Sequence, residues 1–272
     1  MSIFSKANIV ASENFNRWLV PPISISIHLC IGSVYAWSMF NPALTTSLGV
    51  VTSSANDWSL SDVVWIFSTA IVFLGLAAAF AGKWLEEVGP RLVGFVSACL
   101  WGGGFLIGSV GIFFHELFLV YLGYGVLGGC GLGLGYVSPV STLIRWFPDR
   151  RGMATGMAIM GFGGGAMIGA PLISYLLELY YVTPVYLGSA SDVILKTIDG
   201  IRYTDINGVM TEVVVLAAGE VSNDTQLAGV YVVGSGDTGA GMTFVTLGIA
   251  YFIIMSLASF GYRIPPENWR PK

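Results

Sequence analysis

Charge is what this sequence has least of. Aspartate, glutamate, lysine and arginine make up 10% of its 272 residues and hydrophobic residues 54%, where an average soluble domain has about 25% charged residues. That scarcity excludes an ordinary water-soluble domain, because most of the chain has too little polar surface to face water. Cysteine is nearly as rare. Cys30, Cys99 and Cys130 each lie in a separate apolar run without CxxC spacing, which excludes a disulfide framework or thiolate metal centre and leaves them as packing residues. Among the candidate residues there is no metal-ligand spacing, no Ser/His/Asp set and no pair of acids at membrane depth, so no metal, cofactor, nucleic acid or enzymatic reaction is expected. The first apolar run is as long as a bilayer crossing and has no small-residue cleavage site, so it reads as a crossing rather than a leader.

What charge there is clusters. The stretch RWFPDRRG, Arg145 to Gly152, puts three arginines and Asp149 between two long apolar runs, so it must be a watery turn between two crossings. Short arginine-rich loops stay in the cytoplasm, and this one orients the rest of the chain. Six crossings follow, at about Trp18 to Phe40, Ser61 to Trp84, Leu92 to Phe114, Leu117 to Ile144, Met153 to Tyr180 and Met242 to Tyr262. Pro21 and Pro22 sit in the first turn of the first helix, where a missing N–H costs least. Asn41-Pro42 is expected to end that helix, and Asp57 or Ser61 to cap the second. Lys6, Arg17, Lys83, Arg91, Arg145, Arg150, Arg151, Arg263, Arg270 and Lys272 then all fall on the cytoplasmic side, with both termini. The short outer loops hold no lysine or arginine. The expected location is therefore a membrane, crossed several times.

Residues 181–241 differ in composition from the rest. Asp199-Gly200 and Asn207-Gly208 are flanked by β-branched runs, the strongest local hairpin signal. A small acidic β-meander outside the membrane is expected there, read as a decorative insertion rather than a ligand-recognition module, since no site is visible in it. The chain thus divides into helices 1 to 5 over 1–180, the insert over 181–241, and helix 6 with the start of a cytoplasmic linker over 242–272. Glycines fall in helical rows, Gly125, Gly129 and Gly133 in one helix and Gly161, Gly165 and Gly169 in the next. Such rows let backbones approach closely in lipid, whether for static packing or for sliding. The run GGCGLGLG at 128–135 follows no strand, so it is not a nucleotide-binding loop.

The turn GKWLEEVGPR, Gly82 to Arg91, resembles the signature loop of the major facilitator superfamily through Gly82, Glu86, Gly89 and Arg91, with Glu87 and Pro90 standing where that family usually has basic residues. The stretches GSVYAWSMFNP at 32–42, GYVSPVSTLIRWFPDRRGMATGMAIMGFGGGA at 135–166 and RIPPENWRP at 263–271 are similar to the oxalate/formate antiporter family, a carboxylate-transporting branch of that superfamily. The resemblance covers residues 18–180 and 242–272 and leaves the insert unexplained. It implies an all-α membrane fold in which six transmembrane helices form half of a major-facilitator fold, here with the β-meander between helices 5 and 6. It also implies a partner, either a second six-helix half or another copy of the chain. The family's cationic substrate-binding residues belong to that second half and cannot be placed on any position here.

The candidate cavity wall is polar and aromatic. On helix 1, Ser24, His28, Tyr35 and Ser38 recur at helical spacing, and Tyr35 and Trp37 lie in the family-like GSVYAWS stretch. Tyr124 stands near where many relatives place a proton-linked arginine, which favours anion exchange over proton coupling through that helix; for Tyr124 and Tyr136, plain helix packing is an equal alternative. His28 is the ionisable residue nearest the middle of a crossing, although a neutral histidine hydrogen-bonded between helices is common. Gly82, Glu86, Gly89, Arg91, Arg145, Asp149, Arg150 and Arg151 are the candidates for structural or gating loops. The expected function is exchange of small carboxylates such as oxalate and formate by alternating access. The alternative is a non-transporting, truncated or interaction protein that presents the β-insert. The orientation is testable with single cysteines in a background lacking the native three: Arg150→Cys is expected to react with an impermeant maleimide only from the cytoplasmic side, and Asp199→Cys only from the opposite one. Labelling of both from one side contradicts it.

Overall fold

The structure is a computed structural model that describes residues 4–221, 226–267 and 269–271. Asp224 of the acidic insert, Asn268 of the RIPPENWRP stretch and Lys272 lie outside the described residues. Among the described residues, six helices are long and apolar enough to cross a membrane: α1 Arg17–Thr45, α2 Leu60–Val88, α3 Pro90–Phe113, α4 Leu117–Trp146, α5 Arg151–Tyr180 and α6 Ala240–Gly261. A five-stranded antiparallel sheet lies in sequence between α5 and α6, with β1 Tyr186–Gly188, β2 Lys196–Ile198, β3 Ile201–Ile206, β4 Val209–Leu216 and β5 Gly229–Val232, in the order β1-β5-β4-β3-β2. The chain folds as two compact units. One holds residues 1–38, 65–172 and 244–272, and the other residues 39–64 and 173–243.

Three boundaries depart from the sequence reading, each for a local reason. Helix α1 does not stop at Asn41-Pro42. It tightens to a 3₁₀ segment over Ser33–Phe40, then resumes as α-helix over Asn41–Thr45 with Pro42 in the new first turn, where a proline's missing N–H is tolerated. Neither Asp57 nor Ser61 is the cap of α2. Ser59 is, exchanging bonds with Asp62: Ser59 Oγ donates to Asp62 Oδ2 at 2.6 Å and accepts from Asp62 N at 3.3 Å. Asp57 instead accepts from the backbone N–H groups of Leu48, Gly49 and Ser54 at 2.8, 3.2 and 2.8 Å, folding the preceding loop around one carboxylate. The Gly82–Arg91 turn is almost entirely helical. Only Gly89, at φ +88°, separates α2 from α3, a conformation that glycine adopts without a side-chain clash.

Within the first unit, the glycine rows are where the helices meet. A Cβ at Gly129 would lie 2.7 Å from Ala70 O and 2.7 Å from Phe73 Cβ, and one at Gly133 2.5 Å from Leu74 O, so this row of α4 lies directly on α2. The row of α5 lies on α1: a Cβ at Gly161 would sit 3.0 Å from His28 Cβ, at Gly165 2.7 Å from Gly32 Cα, and at Gly169 3.0 Å from Ser33 Cβ. Helix α4 opens into wider π-helical turns over Tyr121–Gly128, and there Gly123 fits against Gly104 of α3, where an added Cβ would be 2.6 Å from the Gly104 carbonyl oxygen. Packing of this kind, rather than the hydrophobic effect, holds helices together in lipid.

In the second unit both predicted hairpins form. Asp199-Gly200 and Asn207-Gly208 have φ of +50° and +83°, and +54° and +85°, as a two-residue turn with both centres left-handed requires. Strand β4 is shared: Val209 to Glu212 pair with β3, and Val213 to Leu216 with β5. Val214, Leu216 and Tyr231 form a small core that Val51 of the preceding loop joins. Gly234 N also donates to Leu48 O at 2.9 Å and Thr238 Oγ1 to Ala43 O at 2.9 Å, so the sheet rests on the end of α1 and the loop after it.

The glycine contacts can be checked by substitution. Gly165→Ala places a methyl against the α1 backbone and is expected to destabilise by roughly 1–3 kcal/mol, the usual cost of overpacking. Gly163→Ala, where nothing lies within 4 Å, is expected to be neutral or slightly stabilising through helix propensity. Thermal melts of the two variants in detergent decide; equal melts would show that the close approach carries no energy.

Candidate functional site

Three helices bring together one aromatic surface in the first unit. Phe162 of α5 is its hub: its ring lies 5.2 Å from Tyr35 of α1 and 5.3 Å from Tyr136 of α4, both edge-on, and 6.1 Å from His28. Tyr35 is 51% exposed and also approaches Phe67 of α2 at 6.4 Å. Tyr136 continues into an open apolar groove of about 460 Å³ along α4, lined by Val137, Val140, Ser141, Ile144 and Arg145. The surface offers aromatic faces to a small ligand, and Arg145 at the groove's end is paired with Glu86.

His28 lies behind this surface and is fully buried. Its ring stacks on Tyr136 at 5.6 Å, and each ring nitrogen faces a backbone carbonyl, Nδ1 that of Ala158 at 2.7 Å and Nε2 that of Tyr136 at 3.2 Å. Sequence causes converge here. Gly161 makes room for the His28 side chain, and Pro139 has no N–H to give the carbonyl of Gly135 one turn back, next to the Tyr136 carbonyl that faces the ring. The stripe expected on α1 does not remain on one face. Ser24 and His28 are buried while Tyr35 and Ser38 are exposed, because the 3₁₀ segment from Ser33 changes the helical period from 3.6 to 3.0 residues per turn.

Trp37 and Tyr124 stand apart from that surface. Trp37 is 4% and Tyr124 1% exposed, their rings 4.4 Å apart in a cluster with Trp101, Phe105 and Phe244. Phe162 was not among the sequence candidates. It is the bulky residue in the run GFGGGA, and a large ring held among glycines is the signal that could have found it.

The loop candidates meet at the arginine-bearing end of the bundle. Arg145 of α4 forms an ion pair with Glu86 of α2, and Lys6 donates to the Glu86 carbonyl at 2.5 Å. Asp149 is held by Arg17, which sequence reasoning placed only on the cytoplasmic side: Nη1 donates to Oδ1 at 2.7 Å and Nη2 to Oδ2 at 3.1 Å. The Arg17 guanidinium also lies 4.7 Å over the Phe147 ring. Arg150 approaches Asp149 at 3.7 Å, Arg151 is exposed, and Gly82 has nothing within 4 Å of where a Cβ would point. Arg91, 7% exposed, points Nη2 at the Tyr262 carbonyl, 3.4 Å away. Trp146 Nε1 donates to Arg263 O at 2.8 Å, and Val10 pairs with Ile264 as a parallel bridge, joining the segments before α1 and after α6.

The Arg17 bond is the main cause that holds the Asp149 carboxyl below the usual carboxylate range. A depressed carboxyl contributes stability above its unfolded value of about 3.9 and loses it as pH falls through the lower folded value. Thermal melts at falling pH are therefore expected to drop more steeply for the wild type than for Asp149→Asn in the region below about pH 4. Parallel curves would show that the pair contributes nothing to stability.

The family model of the Major Facilitator Superfamily matches residues 28–191. The chain is 33% identical over 151 residues to the MFS-type transporter YhjX of Escherichia coli (strain K12), a match covering 56% of this chain and 35% of that protein. It is 26% identical over 206 residues to apicoplast pyruvate carrier 1 of Toxoplasma gondii, covering 64% of this chain and 38% of the carrier. It is 29% identical over 174 residues to the oxalate:formate antiporter of Oxalobacter formigenes, covering 63% of this chain and 38% of the antiporter. The matches thus span little more than a third of the length of these relatives.

Proposed function

The chain belongs to the major facilitator superfamily, and from that premise we propose that it carries small carboxylates across a membrane by alternating access, its arginine-bearing end in the cytoplasm. The observation that carries the reading is the Tyr35–Phe162–Tyr136 surface, where aromatic rings from three helices meet and Tyr136 continues it into an open apolar groove along α4. Phenolic hydroxyls suit an anion's oxygens as donors, and aromatic walls suit a small, partly apolar acid. The relatives named for pyruvate, oxalate and formate point to the same class of substrate.

A groove open along one side needs a second wall. Helices α2 and α5 are the least buried spans, 17% and 28% of their apolar stretches against 61% for α1. At Gly75, Gly82, Gly156 and Gly163 an added Cβ would meet nothing within 4 Å among the described residues, and small residues on open helix faces favour close approach of another helix. A second six-helix half, whether continuous with this sequence or separate, is the partner that fits, and the cations that pair with the anion are expected from it. The ion pairs at Glu86 and Asp149 then act as fasteners within this half while the two halves rock.

Proteoliposomes loaded with unlabelled oxalate, formate or pyruvate test the proposal. With both halves present, saturable counterflow of the labelled acid is expected, with little from this chain alone. Tyr35→Ala is expected to lower kcat/KM at least about tenfold, or about 1.4 kcal/mol, whereas Phe114→Ala, at an exposed position just after α3, leaves it within about twofold. An inactive complete assembly, shown to be folded, overturns the transport reading. Counterflow from this chain alone overturns the need for a second half.

A further inference from the structure

The hydrogen-bond partners of His28 suit the imidazolium better than the neutral ring. A neutral imidazole has one N–H and one lone pair, yet both nitrogens face carbonyl oxygens. The shorter contact, Nδ1 to Ala158 O at 2.7 Å, places the N–H there. The Nε2 lone pair is then directed at the Tyr136 carbonyl oxygen, 3.2 Å away, an acceptor facing an acceptor. A proton added at Nε2 turns that opposition into a second hydrogen bond, and the ring then donates to α4 and α5 at once from α1.

The cost of that proton is an uncompensated charge. The side chains against the ring are Tyr136 from α4 and Phe162 from α5, beside Ala158 and Gly161. The phenol of Tyr136 is the titratable one, and the nearest along α1 is the thiol of Cys30. No carboxylate, lysine or arginine among the described residues bonds to the ring. A buried cation without a counter-ion is strongly disfavoured, so the second hydrogen bond and the missing anion pull in opposite directions. Tyr136, the residue stacked on the ring, also lines the groove. An anion in that groove lies one side chain from the imidazolium and supplies the charge it lacks.

We infer that His28 is a proton-binding site coupled to the groove, taking a proton at Nε2 when a small carboxylate occupies the groove and releasing it when the carboxylate leaves. The inference rests on the proposed transport of carboxylates. It makes the carried species an acid anion together with a proton, rather than one anion exchanged for another without regard to pH. Coupling is reciprocal: the carboxylate favours the protonated ring by the same factor by which the proton favours the carboxylate. Protonation also ties α1 more firmly to α4 and α5, so a loaded half moves as a stiffer body than an empty one.

The chain has two histidines, His28 and His115, so in the complete transporter His115→Asn, together with replacement of any histidine that the second half contributes, leaves one imidazole to observe. Nitrogen NMR of the ¹⁵N-histidine-labelled protein reads its protonation directly. At a fixed mildly acidic pH, adding pyruvate, oxalate or formate is expected to raise the fraction of His28 carrying protons on both nitrogens. Carboxylate affinity in the wild type is expected to tighten as pH falls, by up to about tenfold per pH unit, the slope that one linked proton allows. In His28→Gln, whose amide donates but does not titrate, that slope is expected to vanish. A ring that stays neutral at every pH where the protein remains folded overturns the proton site even if no carboxylate binds, and needs no variant at position 28. A ring that titrates without responding to a saturating, transported carboxylate overturns the coupling. Absence of carboxylate binding and transport overturns the transport reading, and the coupling with it.

Discussion

Backbone-to-backbone contact between α1 and α5 is the constraint on which the rest depends. At Gly32 and Gly165 there is no room for a single added carbon, and that closeness sets everything built on the two helices. It presses the His28 ring toward the Ala158 carbonyl and lets Phe162 reach between Tyr35 and Tyr136. The same device fixes α4 on α2 through Gly129 and Gly133. Lipid gives apolar helices no reason to prefer one another over acyl chains, so shape decides. Glycine is the residue that permits this fit.

Charge is handled by exile to the ends. Glu86 with Arg145 and Asp149 with Arg17 sit where water remains available, and each joins parts of the chain far apart in sequence. Exposed pairs of this kind contribute little energy singly. Their geometry still matters, since the guanidinium of Arg17 is bidentate and lies over Phe147, and a planar fork of that sort fixes direction as well as distance. The indole of Trp146 and the Val10–Ile264 bridge add uncharged fasteners at the same end. His28 stands outside this pattern as a titratable ring in the interior, and its two carbonyl partners are the feature that sets it apart.

Much of the fold was legible because lipid imposes long apolar runs and two-residue turns impose Asp-Gly and Asn-Gly. The six spans and both hairpins could be read for those reasons. The helix ends were harder, since Asn41-Pro42 breaks a regular helix but not one that has already tightened to 3₁₀, and Asp57 is as suitable a loop organiser as a cap. At the candidate site, Tyr35, His28 and Tyr136 proved to be neighbours, whereas Trp37, two residues from Tyr35, turns into a closed cluster with Tyr124. Residue type predicted an aromatic surface without saying which rings face outward, because that depends on where α1 changes period. Phe162 and Arg17 were missed because each acts through partners distant in sequence, Tyr35 and His28 for Phe162 and Asp149 for Arg17.

The most direct test of the proposed groove is protection of a single cysteine by substrate. Tyr35→Cys, in a protein whose native cysteines are replaced by serine and whose transport is retained, is labelled with a small maleimide in the presence of rising pyruvate, oxalate or formate. Slower labelling with a saturable dependence on the transported acid is the predicted result, with no such protection for a cysteine at exposed Phe114. Unchanged labelling at position 35 while the acid is being transported would contradict the proposal that carboxylates bind at the Tyr35–Phe162–Tyr136 surface.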